Sequence, residues 1–385
     1  MTARAAGVVR ALLDRHVVAG AAPGAVASLL AAPDGAEPEV VASGAMSVGG
    51  PPMPPDALVR VMSMTKAVTA VTALRLVEAG RLGLDAPVDR WLPELADRRV
   101  LTSPTAPLTD TAPAVRPITL RHLLTCTSGY GLVMTDSPLR RAMAAAGLDV
   151  APDRPVTVGA DEWLTRLAAL PLAFQPGDGW RYHHSFGVLG VLVSRVAGRP
   201  LQDHLADDLL GPLGMRDTRL WVPDDDLARL PAAYRHTGSG PVELEPAAGG
   251  TYAGRPPFDV SHRELVSTVR DYTRFARMLA AGGRTDGRQV VSPEHLRLMT
   301  SDQVPAAAKA PDSFFPGFWD GTGWGFGVGV DVAGPRAGRF GWSGGLGTTF
   351  FVDPGGAVGV LATQVEVGAR LQPLFDDFQD LADRA

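Results

Sequence analysis

Lysine is nearly absent from this chain. Two of its 36 basic residues are lysines, Lys66 and Lys309, and the rest are arginines. Arginine keeps its proton inside a protein, whereas a desolvated lysine gives it up. Lys66, three residues after Ser63, is thereby a candidate for an amine that can act as a base. Cysteine is rarer still, with Cys126 standing alone, which excludes an intramolecular disulfide framework and a cysteine-rich zinc site. Long apolar runs are missing too: the longest, near Gly187 to Val193, is far too short to cross a bilayer. The first residues hold no apolar core of signal-peptide length before charge returns at Arg10, Asp14 and Arg15. The expectation is a cytoplasmic, soluble protein with no membrane partner. Excess positive charge is also lacking. A formal net charge of −5 offers no broad basic field to a nucleic acid.

What is present fits a folded chain. Hydrophobic residues make up 45% and charged residues 20% of 385 residues, enough for one large domain or two ordinary ones with a sizeable core. Helical spacing (Val8, Leu12, Leu13, Val17) predicts a helix over 5–19. Strands are expected at 23–30 and 40–42, joined by the turn Pro33-Asp34-Gly35. Val68, Val71, Leu74 and Val77 predict a helix over 65–79, with Gly80 as its cap. Residues 102–117 read as a loop. Helical patterns follow at 119–126, 161–170, 185–198, 201–210, 264–281 and 293–300, with Gly- and Pro-rich chain at 237–262 and an aromatic loop at 302–323. Strand signals then dominate at 326–332, 338–342, 348–352 and 358–364, before a helix at 370–382. Strands at both ends and helices in the middle predict a sheet domain interrupted by a helical insertion.

Ser63 and Lys66 are three positions apart, so on a helix they share a face. A serine hydroxyl is a poor nucleophile until a base sits beside it. A buried lysine near a helix N-terminus is such a base, because desolvation and the dipole both oppose its charge. The plain alternative is a capping serine and a solvated lysine. A second segment, Phe174-Gln175-Pro176-Gly177-Asp178-Gly179-Trp180-Arg181-Tyr182-His183-His184-Ser185, leads into an apolar helix. Its tyrosine is either half-buried core or a proton relay whose pKa a nearby cation lowers. A third, Phe340-Gly341-Trp342-Ser343-Gly344-Gly345-Leu346-Gly347-Thr348-Thr349-Phe350, reads as a strand with glycines where something approaches the backbone. An N–H on such an edge can serve an oxyanion hole.

In this order and spacing the three segments resemble the serine β-lactamase and penicillin-binding-protein superfamily, closest to class C-like serine hydrolases and the family VIII carboxylesterases. The resemblance spans nearly the whole chain and includes Pro117 to Gly129, Gly211 to Thr218, Trp324 to Gly329 and Phe351 to Gln364. It implies an antiparallel sheet flanked by helices (residues 1–84 and 262–385), a helical insertion (85–261) and an active site between them. It also implies that Ser63 is the acylated nucleophile, Lys66 its proton acceptor and Tyr182 the general acid/base. The N–H groups of Ser63 and Gly345 would form the oxyanion hole. No metal or organic cofactor is implied, and the partner is a small-molecule ester or amide.

Two positions depart from the family pattern. His184 stands where asparagine is common, and Trp342 stands where β-lactamases keep a lysine or histidine. A cation there binds a substrate carboxylate, whereas tryptophan offers a broad apolar face. His184, Trp342, Ser343 and Gly344 are therefore expected to meet substrate. The expected activity is a carboxylesterase on neutral, apolar esters. The alternatives are a β-lactamase, amidase or D-amino-acid peptidase, a biosynthetic acyltransferase, and a noncatalytic ligand-binding module on the same fold. The last predicts loss of a member of the Ser–Lys–Tyr set, and all three are present.

Other motifs fail on their context. Gly341-Trp342-Ser343-Gly344-Gly345 fits a nucleophile elbow, but a strand signal follows and the last histidine, His295, precedes it. Adjacent His183 and His184 on extended chain point to opposite faces and do not chelate one ion. Gly325, Gly327 and Gly329 lack the following helix that a dinucleotide site needs. Cys126 reads as a small buried residue.

Overall fold

Successive side chains of a strand point to opposite faces, and strands from the two ends of the chain use this to bury both sides of one sheet. The computed structural model describes residues 3–31, 37–148 and 156–383, the side chains of 3–5 aside; the expected turn at Pro33-Asp34-Gly35 lies outside them. The strands are β1 (Gly24–Leu30), β2 (Val41–Gly44), β3 (Thr322–Trp324), β4 (Gly329–Asp331), β5 (Phe340–Gly344), β6 (Thr348–Val352) and β7 (Val358–Ala362). Their order is β3-β4-β5-β6-β7-β1-β2, and every pairing is antiparallel, with Val26 opposite Ala362 and Trp342 opposite Phe350.

Ala25, Ala27 and Leu29 of β1, with Phe351 and Leu361, pack beneath α1 (Ala3–Val18) and α10 (Gln372–Ala382). Val26, Leu30, Phe350, Val358 and Val360 face the other way. That side is covered by α8 (Val269–Ala280), whose Tyr272 meets Phe350 at 5.1 Å between ring centroids. It is also the side of α2 (Thr65–Glu78). Each large side chain so buried contributes about 1.5–3 kcal/mol. The sheet and its flanking helices are those of the β-lactamase/transpeptidase fold.

Between β2 and α8 lies the helical layer: α3 (Leu120–Leu124), α4 (Pro138–Ala145), α5 (Ala160–Ala168), α6 (His184–Ala197) and α7 (Leu201–Leu205). Helix α6 is apolar on nearly every side and buried along most of its length, as such a helix must be. It packs on α2 and α3 and ends at left-handed Gly198. Beyond α7 the chain returns to the sheet. Arg219 bridges Val266, and a hairpin of Ala233–Thr237 with Gly240–Glu245 sets Tyr234 beside Val365. Gly240–Glu245 of this hairpin lies in the Gly- and Pro-rich stretch at 237–262, and Thr111–Pro113, inside the loop expected at 102–117, pairs with Arg99–Leu101. The helix expected from 264 starts at Val269 because Val266 and Ser267 pair with Val59 and Arg60. α9 (Pro293–Met299) follows.

Candidate active site

Ser63, the proposed nucleophile, sits at a bend. After Arg60, the Val61 amide donates to Leu265 O at 3.0 Å, and Met62 adopts left-handed φ of 51°. A single tight turn, Met62–Met64, then carries Ser63 into α2. A methionine in this region is strained and persists only when its surroundings fix it. Here Thr65 Oγ1 donates to Met62 O at 2.6 Å, Thr348 Oγ1 to Val61 O at 2.9 Å and Tyr272 Oη to Met64 O at 2.8 Å. Gly344 of β5 completes the brace: a Cβ there would lie 2.4 Å from Val61 O and 2.8 Å from Met62 Cβ. Its glycine is needed so that β5 can lie against the turn that carries Ser63. Gly345 itself has open space at its Cβ position.

Lys66 is fully buried in the first turn of α2. Its Nζ donates to Ser63 Oγ at 3.1 Å and to the backbone carbonyl of His262, and lies 4.5 Å from the centre of the Tyr182 ring. Burial pulls its ammonium down to about 7, against which Cys126 and Glu264 act only through space. The other lysine is the contrast. Lys309 is paired with Asp302 beside the Trp319 ring. An amine bonded to a carbonyl through one N–H still has its lone pair, and here that lone pair is within reach of the Ser63 proton. The sequence reading missed His262. It contributes a backbone oxygen, which leaves no mark on residue type.

Tyr182 is held by main-chain bonds on both sides: Arg181 N donates to Cys126 O at 3.0 Å, and Leu132 N to Tyr182 O at 2.8 Å. His183 follows at φ 94°, a second strained residue beside a proposed catalytic group. Burial pushes the Tyr182 phenol above its ordinary range, while hydrogen bonds to Ser63 and Trp342 pull the other way. The phenol therefore keeps its proton near neutrality. It is suited to relay a proton, and Lys66 is the group that titrates there.

Trp342 is placed differently from a simple apolar wall. Its indole N–H donates to Tyr182 Oη at 2.6 Å, and its ring meets Trp324 edge-on at 4.7 Å. A neutral donor thus occupies the place of the usual cation and polarises the phenol without attracting a carboxylate. Trp342→Phe keeps the ring and removes this donor. It is expected to lower kcat on a short neutral ester about tenfold with little change in KM, as steady-state kinetics will show.

The other three expected substrate contacts are placed elsewhere. His184 is buried at the start of α6, its Nε2 2.8 Å from Leu148 O. Ser343 Oγ donates to Thr349 Oγ1 at 3.0 Å, on the face opposite Trp342, as strand alternation requires. Gly344 is spent on the close approach to Val61. Among the described residues no group of three metal-ligating side chains is gathered and no helix is long and apolar enough to cross a membrane.

The chain is 39% identical over 324 residues to an uncharacterised protein of Mycobacterium tuberculosis, covering 79% of this chain and 76% of the relative. It is 31% identical to the lovastatin esterase of Penicillium rubens, covering 77% of each. Among solved structures, EstCE1, a hydrolase with promiscuous acyltransferase activity, superposes with a TM-score of 0.77 over 98% of both chains at 24% identity, a likeness of fold. The Beta-lactamase family profile matches residues 6–369. With a serine, a lysine and a tyrosine gathered in one cleft, the chain belongs to the Beta-lactamase family and is a serine hydrolase of that fold.

Proposed function

We propose that the chain is a carboxylesterase acting on neutral, apolar esters through an acyl-enzyme on Ser63. The observation that carries this reading is Trp342: an uncharged indole, its N–H turned to Tyr182, stands where a carboxylate-binding cation would be. Aromatic rings continue the apolar wall, with Phe314 4.9 Å and Trp324 5.7 Å from Tyr182 between centroids. The similarity to an esterase supports it.

In this reading neutral Lys66 takes the Ser63 proton as Oγ attacks the ester carbonyl. The oxyanion forms between the N–H groups of Ser63 and Gly345. Tyr182 passes its proton to the departing alkoxide and is recharged from the Lys66 ammonium. Water then attacks the acyl group, its proton returning through Tyr182 and Lys66, and the acid leaves Ser63 free.

A panel of short-chain nitrophenyl esters, a chromogenic cephalosporin and a D-amino-acid amide tests the reading. The esters are expected to show kcat/KM about a hundredfold or more above the other two, because a cleft without the cation loses the charged contact. Preference for the cephalosporin or the amide would overturn it. Alcohol added as acceptor distinguishes hydrolysis from acyl transfer by whether a new ester accumulates.

A further inference from the structure

Many half-buried arginines of this protein face a carboxylate: Arg75 meets Asp208, Arg195 meets Glu94, and Arg229 meets Asp217. Arg181 does not. Its Nη1 donates to Leu132 O at 3.1 Å, and its Nε is buried without a partner. Asp312, exposed on the loop opposite, acts on it only through space, and burial draws its guanidinium below the ordinary value. Arg60 also lacks a carboxylate. Its Nε too is buried without a partner, but its two Nη groups are held by the carbonyls of Pro231 and Pro246 and the side-chain oxygen of Gln364, over the face of Tyr252. A guanidinium taken from water with its donors unfilled is costly until an anion completes it.

Arg181 lines a cavity of about 540 Å³ between the helical layer and the loop around Ala308. Its walls include the apolar side chains of Leu101, Ala173, Phe174 and Trp180. Asp178 and Asp312 also line it; Asp178 is already bonded to Arg116 at 2.7 Å, and Asp312 is exposed and reaches Arg181 only through space. None of Ser63, Lys66, Tyr182 or Trp342 contributes to the lining. Trp180 and Arg181 stand between the cavity and Tyr182, the Trp180 ring stacking on the Tyr182 ring with centroids 5.9 Å apart.

We propose that this cavity is a second binding site, taking an apolar molecule with a single carboxylate whose anion rests on Arg181. The planar guanidinium fork matches a carboxylate. Phe174, part-exposed in the lining, supplies surface for the apolar body, and the volume is that of a small-molecule site.

Calorimetric titration of the full chain with decanoate, and with decanamide as its neutral counterpart, tests the proposal. Arg181→Gln is expected to weaken decanoate binding about tenfold or more and to leave decanamide within about twofold. Ala310→Trp, at the exposed rim of the cavity, is expected to weaken both. Failure of decanoate to bind the native chain, equal weakening of both ligands by Arg181→Gln, or undiminished decanoate binding in either variant overturns the site. Thermal melting followed by circular dichroism checks folding. If Arg181→Gln does not fold, the rim variant decides between this cavity and the Ser63 cleft.

Discussion

Alanine at position 63 is expected to abolish labelling by a fluorophosphonate and to lower ester turnover by about five orders of magnitude or more. The substitution removes one oxygen from a partly exposed side chain. The turn that carries it is fixed by bonds from Thr65, Thr348 and Tyr272, none of which uses the hydroxyl. Folding is therefore expected to survive, and thermal melting checks this. The Lys66 amine remains but has no proton to take from a nucleophile. A serine and its base act as a unit, so the loss is nearly complete rather than partial. Labelling of Ser63→Ala equal to wild type would sink the assignment of the nucleophile.

Lys66→Arg is expected to cost about 10³–10⁴ in kcat/KM. Arginine keeps a cation near Ser63 but does not release its proton, so the variant separates the base from the charge. Retained turnover would show that the amine need not be neutral. The pH profile of the wild type tests the same point. Burial holds the Lys66 ammonium near 7. The base is protonated below that value and free above it, so kcat/KM is expected to rise with pH through about 7 and then level off. Tyr182 is displaced upward, so its phenol adds no falling limb below the ordinary tyrosine range near about 10. A basic limb centred several units higher would mean that Lys66 is not desolvated in the working enzyme.

The proposed catalytic residues were legible because their chemistry depends on residue type and spacing. Ser63 and Lys66 sit on adjacent turns whatever the tertiary fold, and Thr348–Val352 reads as a strand from its own side chains. Contacts set by backbone direction were not legible. Ser343 looked like a substrate contact from its place in a glycine-rich run, but the pleat turns it to Thr349. His184 looked like the counterpart of a polar residue and is instead fastened to Leu148 O. The N-terminus of α8 was readable in principle. Thr268 accepts from the amide of Asp271, three positions on, as a helix cap does. Apolar Leu265 and Val266 fit the helical period and obscured it. The hairpin at 233–245 was hidden by its shortness and by Pro241, which tertiary contacts override.

The sheet has one further consequence, for the order in which the protein comes into being. Strand β1 closes on β7, and Gly344 meets Val61 and Met62, across almost the whole length of the chain. During synthesis β1 and β2 emerge long before the strands that cover them, leaving an apolar ribbon with an open edge. Pairing over such a separation is slow. A nascent or truncated chain that carries Ser63, Lys66 and Tyr182 but lacks β5 has the proposed nucleophile without its proposed oxyanion partner and without Gly344, which braces its turn. Hydrolytic competence therefore arrives last, with the strands near the carboxyl end.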